Sequence, residues 1–213
     1  MRSLAAVALS LALGATSFAE AQITDELRRP LTRAEETALD NGETVTRPVM
    51  ERRGDLSLMG GISYQVIDLP VGAVWRALNG DSADYRHMLP KVENARETER
   101  DGNRTRSIHF EHEVGVISAE YVMNFTFDHG RKIVQFRLDD DEPHTIRAGW
   151  GFLRARPWRD GKTLLTFGTM VDVGRGMITG MIRPTLHHWI LRIPWTVMRH
   201  LHENRDQYVR DPG

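Results

Sequence analysis

Gly60–Pro90, GGISYQVIDLPVGAVWRALNGDSADYRHMLP, is the stretch whose reading decides the fold. Ile62, Tyr64 and Val66 alternate with Ser63, Gln65 and Ile67 at the two-residue period of a pleated strand. Pro70 suits a first helical turn, with Asp68 near enough to cap it. Val71, Val74, Trp75 and Leu78 then fall at i, i+3, i+4 and i+7, one apolar face of a short helix. Asn79-Gly80 ends that helix, and Asp81 can cap a second one that turns Tyr85, Met88 and Leu89 inward before Pro90 stops it. A strand and two short helices cannot close a core, so the rest of the chain must.

Downstream the pattern is one of strands. Val92–Thr98 runs to the turn Asp101-Gly102-Asn103, and Arg104–Val114 runs to Gly115. Ile117–Phe127 follows, with Ala119, Tyr121, Met123 and Phe125 on one face and Glu120, Asn124 and Thr126 on the other. His129-Gly130 leads into Lys132–Leu138, and Thr145–Arg156 joins Thr163–Val173 through Asp160-Gly161. Short strands with such turns predict a meandering antiparallel sheet. From Met177 to Tyr208 the apolar residues return at a period near 3.6, predicting a long helix with Pro184 in its first turn and a kink at Pro194.

Upstream, Arg2, the apolar run Leu4–Ala19 and Ala19-Glu20-Ala21 have the form of a signal peptide with its cleavage site. Residues 1–21 are therefore expected to be removed before Gln22, and the mature protein to be periplasmic or secreted. The run is shorter than the roughly 20 residues of a membrane span. Residues 22–59 read as a preamble. Thr32 and Glu35 form a capping box for a helix through Leu39, Glu43–Arg47 is a candidate edge strand, and Glu51–Gly54 is polar linker. The main domain is assigned to residues 60–208.

Composition narrows the function. The chain has 213 residues, 40% of them hydrophobic, and a formal net charge of -1, so it suits a globular domain and lacks the cationic excess of a nucleic-acid binder. With no cysteine there is no disulfide, thiolate nucleophile or Cys-ligated metal.

Strand, two short helices, six strands and a long helix is the order of a helix-grip protein. Pro70, Val74-Trp75, Leu78, Asp81, Tyr85 and Leu89-Pro90 carry the likeness, followed by Gly149-Trp150-Gly151-Phe152, Asp160-Gly161-Lys162-Thr163 and Val171-Asp172-Val173-Gly174. Over residues 60–206 the chain resembles the START-like (SRPBCC) superfamily, which includes Bet v 1 allergens, polyketide cyclases and coenzyme Q-binding proteins. The resemblance implies an α+β fold in which a curved seven-stranded antiparallel sheet wraps the C-terminal helix around an elongated apolar cavity. It also implies a hydrophobic ligand of lipid, quinone or sterol type, and no cofactor.

With the apolar faces turned inward, the lining falls to Ile108, Phe110, His112, Tyr121, Met123, Phe125, Phe136, Trp150, Phe152, Phe167 and Thr169, with Leu186, Trp189, Ile190 and Ile193 from the helix. Leu153 and Ala155 give the opposite phase of the Trp150–Phe152 strand some support. His112 shares a phase with Ile108 and Phe110, either as a polar handle or general base in the cavity or as a histidine at the sheet rim. His109 and His112 are three apart on a strand and point to opposite faces, so they do not make a metal site. His109, Glu111 and Glu113 share a face, which is the ordinary outer face of a half-buried strand. Asp139–Glu142 lacks calcium-loop spacing. No G-x-S-x-G elbow is present.

Three functions remain open: an exported carrier of a hydrophobic molecule, a cyclase- or hydrolase-like enzyme using His112 or Tyr121, and a module docking a membrane or protein through an exposed Trp189–Trp195 patch. Gly174–Ile182 is the candidate gate for the first, with Pro184 and Pro194 letting the helix shift.

Overall fold

A computed structural model describes residues 29–114, 117–174 and 183–209. Helix α1 (Arg33–Asp40) precedes strands β1 (Val45–Arg53) and β2 (Leu56–Ile67). Helix α2 (Val71–Leu78), a 3₁₀ turn at Ser82–Asp84 and helix α3 (Tyr85–Met88) follow. Six strands come next: β3 (Val92–Asp101), β4 (Thr105–Val114), β5 (Ile117–Asp128), β6 (Ile133–Leu138), β7 (Ala148–Pro157) and β8 (Thr163–Asp172). Helices α4 (Arg183–Leu191), α5 (Ile193–Glu203) and α6 (Arg205–Val209) end the described chain. All strand pairs are antiparallel, in the order β1-β2-β8-β7-β6-β5-β4-β3. This is the helix-grip fold.

The sheet has eight strands where seven are expected, because β1 is a full strand paired to β2 from Val45↔Tyr64 to Arg53↔Leu56. Glu51–Gly54 is therefore the end of that strand and its turn, not linker. Gly60 and Gly61 are needed where β2 passes between its neighbours. A Cβ on Gly60 would overlap the Thr169 carbonyl, and one on Gly61, at φ +128°, the Arg47 carbonyl.

The capping box of α1 forms as expected, with Thr32 N–H donating to Glu35 at 2.8 Å and Glu35 N–H to the Thr32 hydroxyl at 3.2 Å. Asp81 caps the 3₁₀ turn by accepting from Ala83 N–H at 2.9 Å. Asp68 does not cap α2: Pro70 occupies the N-cap position without a side-chain bond, and Asp68 instead faces Arg205 at 3.6 Å. The C-terminal helix breaks at Arg192 rather than bending at Pro194. Pro194 sits in the first turn of α5, where its missing N–H costs nothing.

The sheet is covered on its concave face, and at its β1-β2-β8-β7 end on the outer face too. On the concave side α2, α3 and α5 close a core containing Val74, Leu78, Tyr85, Met88, Val197 and Leu201. Outside, α1 covers a second core of Leu39, Leu58, Ile62, Tyr64, Val66, Leu164 and Met170. Arg47, 5% exposed, pins the two layers. Its guanidinium donates to Glu35 at 3.0 and 2.9 Å and to the carbonyls of Arg29 and Pro30 at 3.1 Å, and lies over the Tyr64 ring. That pairing draws the Glu35 carboxyl down to about 2.

Candidate functional site: an apolar cavity under the grip

A cavity of about 190 Å³ lies between the concave face and helices α3, α4 and α5. Strand pairing explains its walls. Phe110↔Tyr121, Phe125↔Phe136 and Gly151↔Thr169 are directly opposed pairs, so their side chains leave the sheet on the same face. Phe136 fits because Gly151 opposes it: a Cβ there would run into the Phe136 ring and the Gly168 carbonyl. Phe136 and Phe167 stack at 6.1 Å, and Phe110 lies 5.8 Å from Tyr121 and 6.0 Å from Phe125.

Twelve of the anticipated residues meet at this cavity: Phe110, His112, Tyr121, Met123, Phe125, Phe136, Phe167, Thr169, Leu186, Trp189, Ile190 and Ile193. Three do not. Ile108 shares the face but is wholly buried in the closed part of the core. Trp150 and Phe152 point outward and pack against the second core, while Leu153 of the alternate phase lines the cavity. The outward pair could not be told from an inward one by alternation, because the sheet is covered on both sides here. Tyr85, Leu89, Pro90 and Lys91 from the α3–β3 corner, together with Ala119, Ile146, Val171 and Val173, complete the wall. Tyr85 and Leu89 were legible as inward residues, and Val171 as a continuation of the β8 alternation. The gate expected at Gly174–Ile182 lies, apart from Gly174, outside the described residues.

The polar feature of the wall is His112 against Tyr121, Nε2 to hydroxyl 2.6 Å, with the rings stacked at 5.4 Å. Burial pushes the His112 pKa down to about 4, opposed by backbone hydrogen bonds to Lys91 and Pro90. Nε2 and the Tyr121 hydroxyl share one hydrogen bond, whose direction follows the imidazole tautomer. Burial also raises the Tyr121 pKa. The phenol therefore keeps its proton.

The other histidines fall outside this site. His109 lies on the outer face, 2.8 Å from Glu120 and 3.6 Å from Glu111. His187 contacts the Gly60 carbonyl at 2.6 Å. No group of three His, Asp or Glu placed to hold a metal occurs among the described residues. Trp189 and Trp195 are half-buried rather than bare, with Lys91 over the first ring at 5.5 Å and Arg192 and Arg199 over the second at 4.2 and 5.0 Å.

A curved antiparallel sheet closed on a C-terminal helix over an apolar cavity is the helix-grip fold. Solved structures with this fold include an aromatase/cyclase (Zhui) from Streptomyces, 18% identical with a TM-score of 0.58 over 73% of this chain and 98% of that one. A STAR-related lipid transfer protein from Xanthomonas axonopodis is 14% identical with a TM-score of 0.55 over the same shares. A Thermus thermophilus protein is 13% identical with a TM-score of 0.58 over 70% of this chain and 98% of that one. No protein-family model and no curated protein matches the sequence.

Proposed function

We propose that the chain is an exported binding or carrier protein for a small hydrophobic molecule held in the cavity under the grip. The observation that carries this reading is the cavity wall, aromatic and aliphatic apart from Lys91, Thr169 and the His112–Tyr121 pair. An apolar body there is driven by burial, at about 25 cal/mol per Å² before ordering costs. Volume bounds the enclosed part. A cavity of roughly 150 Å³ takes benzene, so about 190 Å³ takes one ring or a short alkyl chain.

The pair is poorly tuned for proton transfer. A general base works best with a pKa near the working pH, whereas burial holds His112 well below neutrality and Tyr121 above its ordinary value. This favours an anchor over an acid–base catalyst. Among the fold neighbours, the lipid transfer protein is named for the use closest to this reading.

The test is native mass spectrometry of protein purified through its own export route, with organic extraction of released molecules. A mature chain beginning at Gln22 and carrying a near-stoichiometric apolar molecule supports both export and carriage. A chain that keeps residues 1–21 counts against export. An apo mass, with added 1-octanol not retained, counts against a binding cavity.

A further inference from the structure

Beside the cavity lies a second, wider recess of about 640 Å³, lined by residues of the α3–β3 corner and of α4 and α5. Leu89, Pro90, Lys91 and Trp189 line both voids and so form the wall the two share. Their chemistry is opposite: the inner void is apolar, while the outer one carries Arg86, Lys91, Arg192 and Arg199 against the carboxylates Asp84 and Glu203. Neither carboxylate cancels the cations beside the cavity. Asp84 accepts from the Tyr208 hydroxyl at 3.3 Å, and Glu203 lies 3.9 Å from Arg199. Arg86, Lys91 and Arg192 have no carboxylate partner among the described residues.

The Trp195 ring carries the Arg192 guanidinium at 4.2 Å and, at 5.0 Å, that of Arg199, which Glu203 pairs at 3.9 Å. Lys91 sits in the shared wall in a left-handed backbone conformation, φ +60°, with its ammonium over Trp189. That conformation is uncommon for a lysine. It places a cation in the wall shared by the apolar void and the polar one.

We propose that this recess receives the anionic head, carboxylate or phosphate, of a single-chain amphiphile whose apolar part fills the cavity. The inference rests on the hydrophobic-ligand reading above and narrows it to an acidic ligand. Guanidiniums fork onto carboxylate and phosphate oxygens, and such charge-assisted bonds are among the stronger ones available at a partly exposed site. The chain length follows from the void: about eight carbons, with one terminal anion lodged between Lys91 and Arg192.

Calorimetric titration of the mature protein with 1-octanol, octanoate, octyl phosphate and octyltrimethylammonium, below their micellar concentrations, tests it. Octanoate and octyl phosphate are expected to bind at least about tenfold more tightly than 1-octanol, with a preference that fades as salt is raised, and the ammonium compound more weakly than the alcohol. Arg192→Gln combined with Arg199→Gln should close the gap between octanoate and octanol. Arg131→Gln, in a separate recess, should leave the gap intact.

Equal affinity for octanol and octanoate overturns the head-group site while leaving the cavity reading standing. Binding of none of the four overturns both. Inorganic phosphate binding that does not compete with octanoate overturns the link between the two voids. Binding to vesicles of one-quarter phosphatidylglycerol that octanoate fails to displace makes the recess a membrane-docking face and overturns the amphiphile.

Discussion

Acid should weaken this protein through His112, and the size of the effect follows from its burial. In the unfolded chain the imidazole titrates near 6.5, whereas in the folded protein it is held at about 4. Between those values the unfolded state takes up a proton that the folded state does not. The contribution is thus fully present above pH 6.5 and is lost as pH falls towards 4, at 2.3RT per unit, for a total of about 3 kcal/mol. Urea denaturation followed by circular dichroism, at several pH values from about 4.5 to 7.5, measures that slope. His112→Leu alone strands the Tyr121 hydroxyl in an apolar wall and should cost about 1–3 kcal/mol at neutral pH. His112→Leu with Tyr121→Phe removes both polar partners, so it should recover most of that loss and flatten the pH dependence by close to one proton. His200, also lowered by burial, remains in every variant and supplies a common background. A double variant that keeps the full wild-type slope would refute the assignment of the titration to this pair.

The Arg47 clamp, the Gly151 approach and the cavity volume each make a separate prediction. Arg47→Ala leaves Glu35 and two carbonyls facing an empty site, so unfolding free energy should fall by about 3 kcal/mol; a loss within error of zero in a denaturant titration would show that the clamp is not stabilising. Gly151→Ala forces the Phe136 ring and the Gly168 strand apart, an overpacking cost of about 1–3 kcal/mol, and an unchanged melting temperature would contradict the close approach. Ala119→Leu grows into the cavity, so 1-octanol should bind at least about tenfold more weakly with melting preserved or raised. Unaltered octanol affinity would place the ligand elsewhere.

How far the sequence could be read depended on what covered each face of the sheet. On β4, β5 and β6 the outer positions His109, Glu111, Asn124, Gln135 and Arg137 are polar, so alternation alone turned Phe110, Tyr121, Phe125 and Phe136 inward. On β7 no such contrast exists, and on β2 it points the other way, with Ile62, Tyr64 and Val66 in the outer core and Ser63 opposite the inward Phe167. Ile62, Tyr64, Val66, Trp150 and Phe152 are apolar because α1 lies over them, and the family pattern around Gly149–Phe152 said nothing about a helix that begins at Arg33. The corner at Pro90–Lys91 was missed for another reason. Its residues reach the cavity from the end of a helix and the start of a strand, where neither period applies.

That outer core bears on why the inner one can stay hollow. Leaving about 190 Å³ empty forgoes packing worth on the order of 5 kcal/mol. The strands that bound the void on one side, β7 and β8, are held on the other by Met170, Leu164, Trp150 and Phe152 against β2 and α1. Burying a large apolar side chain contributes roughly 1.5–3 kcal/mol, so a few of these contacts offset the void without filling it. The preamble helix, pinned through Arg47 and Glu35, thus secures the same strands whose inner faces would contact a ligand. Loosening the clamp should therefore weaken 1-octanol binding as well as stability, although Arg47 does not line the cavity. A variant at Arg47 that loses stability but binds octanol with wild-type affinity would show that the two faces of the sheet are energetically independent.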